Sequence, residues 1–352
     1  MDFEQNNNLS GTTGPQSSGP IYGSAQGAPA ITKAPGKRTG WRIFWGIIIA
    51  LSVLANIVLI LVLIGVVAVF ATGQRGIFTE EVLHAGPRTT RIAVISLQGI
   101  IDDEKAQDVY RQLKTARQDR HVKGLIIRVN SPGGTISASD QIYNEIRRLR
   151  DESDKPVVAF MQGIAASGGY YVSVACEKII AEPTAITGSV GVMAGYFVLQ
   201  ELFEQKLGIQ PVIIKSGRKK DWPSPFRPLT EEQRQYIQEK LISPAYNRFV
   251  EVVANGRPSL TLADVKGLAD GSIYGAQEAL DEKLIDNIGY LDEAIEQVKS
   301  LAEIEEAQVV EYRKPFSLAG FLSAQSRNIL KIDRTTLYEL TTPQLSYLWT
   351  IH

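Results

Sequence analysis

The feature that most constrains this chain is a run of residues that carries no charge, between Ile43 and Phe70. About 20 consecutive apolar residues are enough to cross the hydrocarbon core of a bilayer as an α-helix. Trp41 and Trp45 stand at the beginning of the run, where interfacial aromatic residues are typical. The sequence therefore predicts a transmembrane helix over residues 43–70.

Basic residues are distributed unequally about this predicted span. Four of them cluster before it: Lys33, Lys37, Arg38 and Arg42. Behind the span only Arg75 lies close. Because basic segments are retained on the cytoplasmic side, we expect a single-pass cell-membrane protein with a cytoplasmic N-terminus and an extracytoplasmic remainder. A cleaved signal peptide is the alternative, but the apolar run is overlong and no clean small-residue cleavage site follows it.

Composition divides the rest of the chain into segments. Residues 1–42 are rich in Asn, Ser, Gly and Pro, and we predict that they are disordered. Residues 71–90 are interpreted as a linker, and residues 91–312 as the catalytic domain. Residues 313–352 mix apolar with polar residues. The sequence leaves open whether this tail docks on a neighbour or is partly disordered.

Short apolar segments alternate with helical patterns after the linker. Residues 91–97, 123–129 and 157–160 are rich in β-branched or large apolar residues and are predicted as strands. This alternation predicts an α/β fold with a mostly parallel sheet. Further along, residues 212–214 are predicted as another strand. Thr230 is predicted to cap a long helix that extends towards Asn255.

Charge, cysteine and histidine content exclude several functions. The formal net charge is −1, which gives no sign of a nucleic-acid partner. Cys176 is the lone cysteine, so the chain has no multi-cysteine zinc site and no internal disulfide. His84, His121 and His352 all lie away from the motifs described below. We therefore expect no metal, no cofactor and no histidine base.

Two glycine-containing turns, at residues 131–134 and 166–169, each follow a predicted strand. Ligands in open α/β folds bind at the carboxyl ends of strands, so both turns are expected to meet at one site. Ser167 is then a candidate nucleophile, and the backbone N–H groups of Gly134 and Gly168 suit an oxyanion hole. The alternative is a tight turn in which the serine only caps a helix.

A serine nucleophile needs a base, and no histidine is suitably placed. Lysine can take this role once burial or nearby positive charge lowers its pKa. Lys219 and Lys220 stand in a loop before Trp222 and are the candidates. A solvated basic loop is the alternative interpretation, and the residues by themselves do not choose between the two.

Five segments occur in one order: NSPGG (130–134), AASGGYY (165–171), TGSVGV (187–192), KSGRKKD (215–221) and LADGSIYGAQEALDEKLID (268–286). In this order they resemble the signal peptide peptidase A family, which consists of membrane-bound serine–lysine proteases. The resemblance covers roughly residues 91–301 and is strongest to the single-domain branch. It implies the ββα spiral of the Clp protease and crotonase superfamily, here with one N-terminal transmembrane helix.

The resemblance also implies roles for single residues. Ser167 matches the nucleophile, and Lys220 matches the base, with Lys219 ranked second because it stands one position early. Ser189 matches a serine that orients the lysine. Gly134 matches a glycine whose N–H helps to hold the oxyanion, and Gly168 suits the same role.

Two positions depart from the family pattern. Residues 271–274 read GSIY and lack an arginine that is usual there, and Lys283 stands where glycine is common. Both positions lie outside the segments that carry the predicted dyad. They put local loop contacts in doubt more than catalysis.

The family further implies an active site shared between neighbouring copies of a homo-oligomer, with serine from one copy and lysine from the next. Its substrates are short apolar peptides, chiefly residual signal peptides, which are cleaved by an endopeptidase through an acyl-enzyme. Two alternatives remain. A crotonase-like acyl-CoA enzyme would be expected to lack the anchor and to carry a carboxylate near the glycine turns. A catalytically inactive membrane scaffold would keep the fold without the dyad.

Overall fold

The computed structural model describes residues 39–72, 78–314 and 344–349. The chain divides into two units, the first ending at residue 73. The described part of the first unit is a single helix, α1 (Thr39–Thr72), which contains the predicted span. Within its residues Gly40–Gly65 an 18-residue window has a mean hydropathy of 3.2, and the helix is long and apolar enough to cross a membrane.

The second unit contains alternating strands and helices. In chain order they are β1 (Thr79–His84), β2 (Arg91–Gln98), α2 (Asp103–Gln118), β3 (Val122–Ser131), β4 (Gly133–Thr135), α3 (Ile136–Glu152), β5 (Val157–Ala166), α4 (Gly168–Ser173), β6 (Lys178–Ala181), β7 (Ile186–Gly188), β8 (Met193–Gly195), α5 (Glu231–Ile237), α6 (Ser243–Gly256), α7 (Leu262–Leu268), β9 (Ile273–Gly275), α8 (Ala276–Asp281), β10 (Asn287–Ile288), α9 (Leu291–Leu301), β11 (Gln308–Arg313) and β12 (Gln344–Leu348). π-Helical turns occur at Leu202–Lys206 and Gln238–Ile242, and the second of these lies between α5 and α6.

The larger sheet has the order β1-β11-β2-β3-β5-β6-β10. The pairs from β11 through β10 are parallel, whereas β1 at the edge runs antiparallel to β11. Strand β7 joins the same sheet through a parallel pair with β5, and β9 runs antiparallel to β7. The predicted α/β fold with a mostly parallel sheet is therefore confirmed. A smaller sheet has the order β4-β12-β8.

Both faces of the larger sheet are buried, which explains why its strands are apolar throughout. On β2, Ile95 and Leu97 belong to a core that also contains residues of α2, α3 and α4. The alternate residues Ile92 and Val94 face a second core formed with Val298 and other residues of α9. The period of two along the strand thus distributes side chains to two helical layers.

A bend in β5 brings the candidate site together. Gly163, inside this strand, has a φ of +69°, a conformation that glycine adopts without a steric penalty. Before it, β5 pairs with β6, and after it the strand pairs with β7. The chain then reaches Ser167 immediately beyond the end of β5.

The structure also tests the predicted elements in the second half of the domain. The long helix is confirmed: the side chain of Thr230 accepts a hydrogen bond from the Gln233 amide, and the helical conformation continues to Gly256. The strand predicted at residues 212–214 is wrong. Val212 and Ile214 are 84% and 96% exposed and lie outside any strand, because this β-branched run has no neighbouring strand to pair with.

Candidate active site

Ser167 occupies a turn with an unusual backbone conformation, with a φ of 54° and a ψ of −114°. A positive φ is uncommon for a residue other than glycine, and such conformations concentrate at functional sites. The residue precedes α4, yet its side chain makes no capping hydrogen bond to that helix. The capping role considered from the sequence is therefore absent, and the hydroxyl is not committed to α4.

Gly134 and Gly168 come together beside this serine. A β-carbon on Gly168 would lie 2.6 Å from Ser139 Oγ and 3.1 Å from the main-chain nitrogen of Gly134. A β-carbon on Gly134 would collide with the carbonyl oxygen of Ile101. Glycine is thus required at both positions by close approach of other parts of the chain. The structure brings together the two amides that the sequence predicts as oxyanion donors.

One edge of β4 is already occupied. Ile101 donates to the carbonyl oxygen of Gly133 at 2.9 Å and accepts from the amide of Thr135 at 2.8 Å. The amide of Gly133 itself donates to Ser131 Oγ at 3.0 Å. In an extended strand successive amides point to opposite edges, so the N–H of Gly134 faces the other edge.

Ser189 lies in a second strained turn. Gly188 has a φ of +86° and Ser189 a φ of +50°. The amide of Ser189 donates to the carbonyl oxygen of Ser272 at 2.7 Å, and its side chain is buried. The carbonyl oxygen of Gly188 accepts a hydrogen bond from the amide of Ser167. Ser189 directly follows Gly188, so the turns that contain the two serines are in contact.

Charged contacts hold the predicted lysine loop. Asp221 accepts from Lys215 Nζ and from Arg227 Nη2, both at 2.6 Å. The hydrogen bond from Lys215 makes the largest contribution to lowering the pKa of Asp221 below its ordinary value. These contacts constrain the backbone on both sides of residues 219 and 220.

The two candidate lysines differ in their surroundings. The Lys219 ammonium lies 4.3 Å from the ring centre of Tyr236 and 5.4 Å from that of Trp222. Lys220 is exposed, and within residues 39–72, 78–314 and 344–349 its side chain has no hydrogen bond or ion pair. Four of the five predicted site residues therefore lie in turns that contact one another, whereas Lys220 is exposed and makes no side-chain hydrogen bond to the buried Ser167.

An unpredicted element lies against the glycine turn. Strand β12 runs antiparallel to β4, with Tyr347 opposite Gly134, and also antiparallel to β8, with Ser346 opposite Met193. The amide of Trp349 donates to the carbonyl oxygen of Pro132 at 2.8 Å. The sequence does not decide the structure of this tail, because its signal is weak: a few alternating apolar residues separated by one serine.

Tyr347 fills an aromatic pocket and is fully buried. Its ring centre lies 5.0 Å from that of Tyr171, in a stacked arrangement, and 4.6 Å from that of Phe249. Its hydroxyl donates to the carbonyl oxygen of Ala245 at 2.9 Å. The pocket thus provides both apolar area and one polar partner for a tyrosine side chain.

The fold and the candidate site combine a parallel α/β sheet, a strained serine at a strand-to-helix turn and two amides beside it, an arrangement that suits a serine hydrolase. Comparison with known sequences identifies the family of enzymes to which the chain is similar. Residues 150–305 match peptidase family S49, and residues 80–187 match the Clp protease family. The protein is therefore a serine protease with a Clp protease-like fold.

Individual relatives agree with these matches. The chain is 38% identical over 257 residues to a protein from Enterococcus faecium named as signal peptide peptidase SppA, which covers 70% of this chain and 73% of that one. It is 34% identical over 235 residues to the chloroplastic serine protease SPPA of Arabidopsis thaliana, covering 65% and 34%. It is 35% identical over 221 residues to Protease 4 of Haemophilus influenzae, covering 60% and 35%.

The chain belongs to peptidase family S49, as the order of its motifs predicts. This membership favours the protease over the acyl-CoA enzyme considered from the sequence. Helix α1, together with relatives named SppA, points to a membrane-anchored protein.

Proposed function

We propose that this serine protease is an endopeptidase for short apolar peptides, including residual signal peptides, and that Ser167 and Lys220 form its catalytic dyad. The observation that carries the proposal is strand β12, a peptide segment that pairs with β4 and β8 beside the serine turn. An extended peptide that pairs with strands on both sides is a common mode of peptide recognition. A relative is named as a signal peptide peptidase, which supports the substrate class.

In the proposed mechanism, Ser167 Oγ attacks the carbonyl carbon of the bound peptide while Lys220 accepts its proton. The amides of Gly134 and Gly168 donate hydrogen bonds to the negatively charged oxygen of the tetrahedral intermediate. The C–N bond then breaks, and the protonated lysine gives its proton to the leaving amine. Water, activated by the same lysine, hydrolyses the serine ester and releases the second product.

Two observations support Lys220 over Lys219 as the base. The ammonium of Lys219 faces the rings of Tyr236 and Trp222, which favour its charged form. Lys220, in contrast, projects from the surface with no side-chain partner among the described residues. It is therefore available to a site that a single chain does not complete.

We infer that this site is completed by a neighbouring copy in a homo-oligomer. The residues before the lysine loop expose a series of large apolar side chains, and the most exposed are Phe197, Leu207, Val212 and Ile214. So many exposed apolar side chains in one segment are typical of a protein–protein contact. The Clp protease-like fold also supports oligomerisation. The proposed arrangement takes serine and oxyanion donors from one copy and Lys220 from the next.

The proposed topology places the N-terminus in the cytoplasm and the catalytic domain outside, with α1 as a single-pass anchor. The basic cluster before the helix supports this orientation. Protease added to cells whose wall has been removed should then degrade the domain from residue 91 onward. Protection of that domain in intact cells, with degradation after lysis, would establish the opposite orientation.

The catalytic proposal is tested with a fluorophosphonate probe on the detergent-solubilised protein, followed by mass mapping of the labelled residue. We expect label on Ser167, and we expect Ser167→Ala to abolish both labelling and hydrolysis of an apolar peptide. Ser173→Ala is the matched control, because Ser173 is also buried, lies on α4, and its hydroxyl donates to the carbonyl oxygen of Gly169. Undiminished peptide hydrolysis by Ser167→Ala would refute the proposal.

A further inference from the structure

A cavity lies where two neighbouring strands of the larger sheet, β2 and β11, separate. The pairing of these strands ends at Val94 and Glu311. Beyond this point β2 continues to Gln98 beside β3, whereas β11 continues to Arg313 beside β1. The cavity has a volume of about 460 Å³ and is lined by residues of both strands and of helix α2. A volume of this size accommodates a small molecule.

One face of helix α2 lines this cavity. Lys105, Asp108 and Gln112 all belong to the lining, and their spacing of three or four residues places them on one side of the helix. Gln112 is only 6% exposed, and its side-chain carbonyl oxygen is buried without a hydrogen-bond partner among the described residues. A buried acceptor without a donor is unfavourable, so this oxygen is suited to a hydroxyl group of a bound molecule.

Positive charge predominates in the lining. Four basic side chains face two acidic ones: Lys105, Arg128, Arg313 and Lys314 against Asp108 and Glu311. Lys105 is half-buried, and within residues 39–72, 78–314 and 344–349 its ammonium has no hydrogen bond or ion pair. The cavity therefore contains a cation that an anionic group of a ligand would neutralise.

The two carboxylates do not compete for this lysine, because each is bound elsewhere. Glu311 accepts hydrogen bonds from Ser96 Oγ at 2.6 Å and from Arg313 Nη2 at 2.9 Å. Asp108 forms an ion pair with Lys314. The charge of both acidic residues is thus neutralised within the protein, and the excess positive charge remains.

We propose that this cavity binds a phosphate ester that carries hydroxyl groups, such as a phosphoglycerol group. The phosphate oxygens accept hydrogen bonds from the basic side chains, above all Lys105, and a hydroxyl of the ligand donates to the carbonyl oxygen of Gln112. Phospholipid headgroups and soluble phosphate esters share this chemistry. A lipid is a natural source to test, since residues 73–78 alone join helix α1 to β1, which pairs with β11.

The test is calorimetric titration of the full-length protein in an uncharged detergent and a phosphate-free buffer. The probes are glycerol 3-phosphate, propyl phosphate and dihexanoyl phosphatidylglycerol. We expect saturable binding of glycerol 3-phosphate. Propyl phosphate has the same chain length without hydroxyl groups and should bind about three- to ten-fold more weakly, the value of one net hydrogen bond.

Three variants assign the binding to this cavity. Lys105→Ala should weaken the binding of glycerol 3-phosphate about ten-fold or more, because a charge-assisted hydrogen bond is lost. Gln112→Met removes the carbonyl oxygen and should abolish the preference for glycerol 3-phosphate over propyl phosphate. Lys114→Ala changes an exposed lysine of the same helix outside the lining and is the matched control. Thermal unfolding verifies that each variant is folded.

The lipid probe distinguishes the two sources of the ligand. Tighter binding of the phosphatidylglycerol than of glycerol 3-phosphate would support a headgroup site, and the reverse order would support a soluble ester. Absence of saturable binding of all three probes would overturn the inference. Binding that Lys105→Ala and Lys114→Ala weaken equally would overturn it too, because the ligand would then lie outside the cavity. None of the lining residues belongs to the candidate active site, so these results are independent of the proposed protease activity.

Discussion

The main-chain nitrogen of Ser167 donates a hydrogen bond of 2.8 Å to the carbonyl oxygen of Gly188. This bond joins two turns that both contain a serine with a positive φ, Ser167 at 54° and Ser189 at 50°. Strained conformations persist only where the surrounding structure determines them, and here each turn holds the other. The bond therefore joins the turn of the candidate nucleophile directly to the turn of the candidate lysine-orienting serine.

Gly134→Ala should reduce peptide hydrolysis by about 100-fold or more, the usual effect of losing one oxyanion donor. The added methyl group would collide with Ile101 and displace the Gly134 amide. Gly191→Ala is the control, because a β-carbon there has nothing nearer than 3.5 Å. Initial rates and thermal unfolding are measured together. Equal activity of the two variants would remove Gly134 from the oxyanion hole.

Lys220→Ala should abolish peptide hydrolysis, and Lys220→Arg should do so as well, because arginine stays protonated and cannot accept the serine's proton. Lys219→Ala should lose less than about ten-fold, since the aromatic contacts of Lys219 are worth roughly 1 kcal/mol. Steady-state kinetics on one apolar peptide compare the three variants. Loss of activity in Lys219→Ala with full activity in Lys220→Ala would identify Lys219 as the base.

Mixing inactive Ser167→Ala chains with inactive Lys220→Ala chains should restore activity if the site is shared between copies. In a ring of head-to-tail contacts assembled at random from equal amounts, about one quarter of the interfaces would pair an intact serine with an intact lysine. Activity is measured after dissociation and reassembly, with two affinity tags to demonstrate mixed oligomers. Mixed oligomers without activity would place the dyad within one chain.

Asp286 should contribute stability at neutral pH that is lost in acid. Burial acts to raise the pKa of Asp286, but hydrogen bonds and charges from Arg257, Ile179 and Lys178 outweigh it, so this pKa lies below the ordinary value. The stabilisation is therefore complete above the unfolded-state pKa of about 3.9 and disappears as the pH falls through the folded-state value.

Asp286→Asn tests this contribution. It should lower the free energy of unfolding at pH 7 by about 2–3 kcal/mol, because Arg257 would be left buried without its carboxylate. The difference from wild type should shrink towards pH 3. Asp151→Asn, at an exposed position of α3, is the control. Urea unfolding at several pH values measures both, and a difference that does not change with pH would contradict the assignment.

Lys283→Gly should stabilise the protein by about 0.5 kcal/mol. Lys283 has a φ of +59°, a conformation that costs a residue with a β-carbon roughly 1 kcal/mol. Glycine removes this cost, but it loses more conformational entropy on folding, which offsets part of the stabilisation. Lys283→Ala keeps the β-carbon and should show no such gain. Thermal unfolding compares the variants, and equal melting temperatures for glycine and alanine would show that the turn is not strained.

Local patterns in the sequence were sufficient for much of this protein. The charge-free run predicted helix α1, the alternation of strands and helices predicted the parallel sheet, and the Thr230 capping box predicted the start of the long helix. Glycine turns after two strands predicted where Ser167, Gly134 and Gly168 would meet. Each of these features depends on residues close together in the chain, or on the rule that parallel strands end at one edge.

The tertiary structure decided the features that depend on distant segments. Residues 212–214 have strand propensity but no pairing partner, whereas residues 344–348 have a weaker pattern and form β12 because β4 and β8 offer hydrogen bonds on both sides. Lys283 occupies a conformation that suits glycine, which the sequence alone showed only as a departure from the family pattern. Lys220 is exposed while Ser167 is buried, although both lie in family motifs. A sequence states each segment's local preference, but the pairing partner is a long-range contact, and only the folded chain provides it.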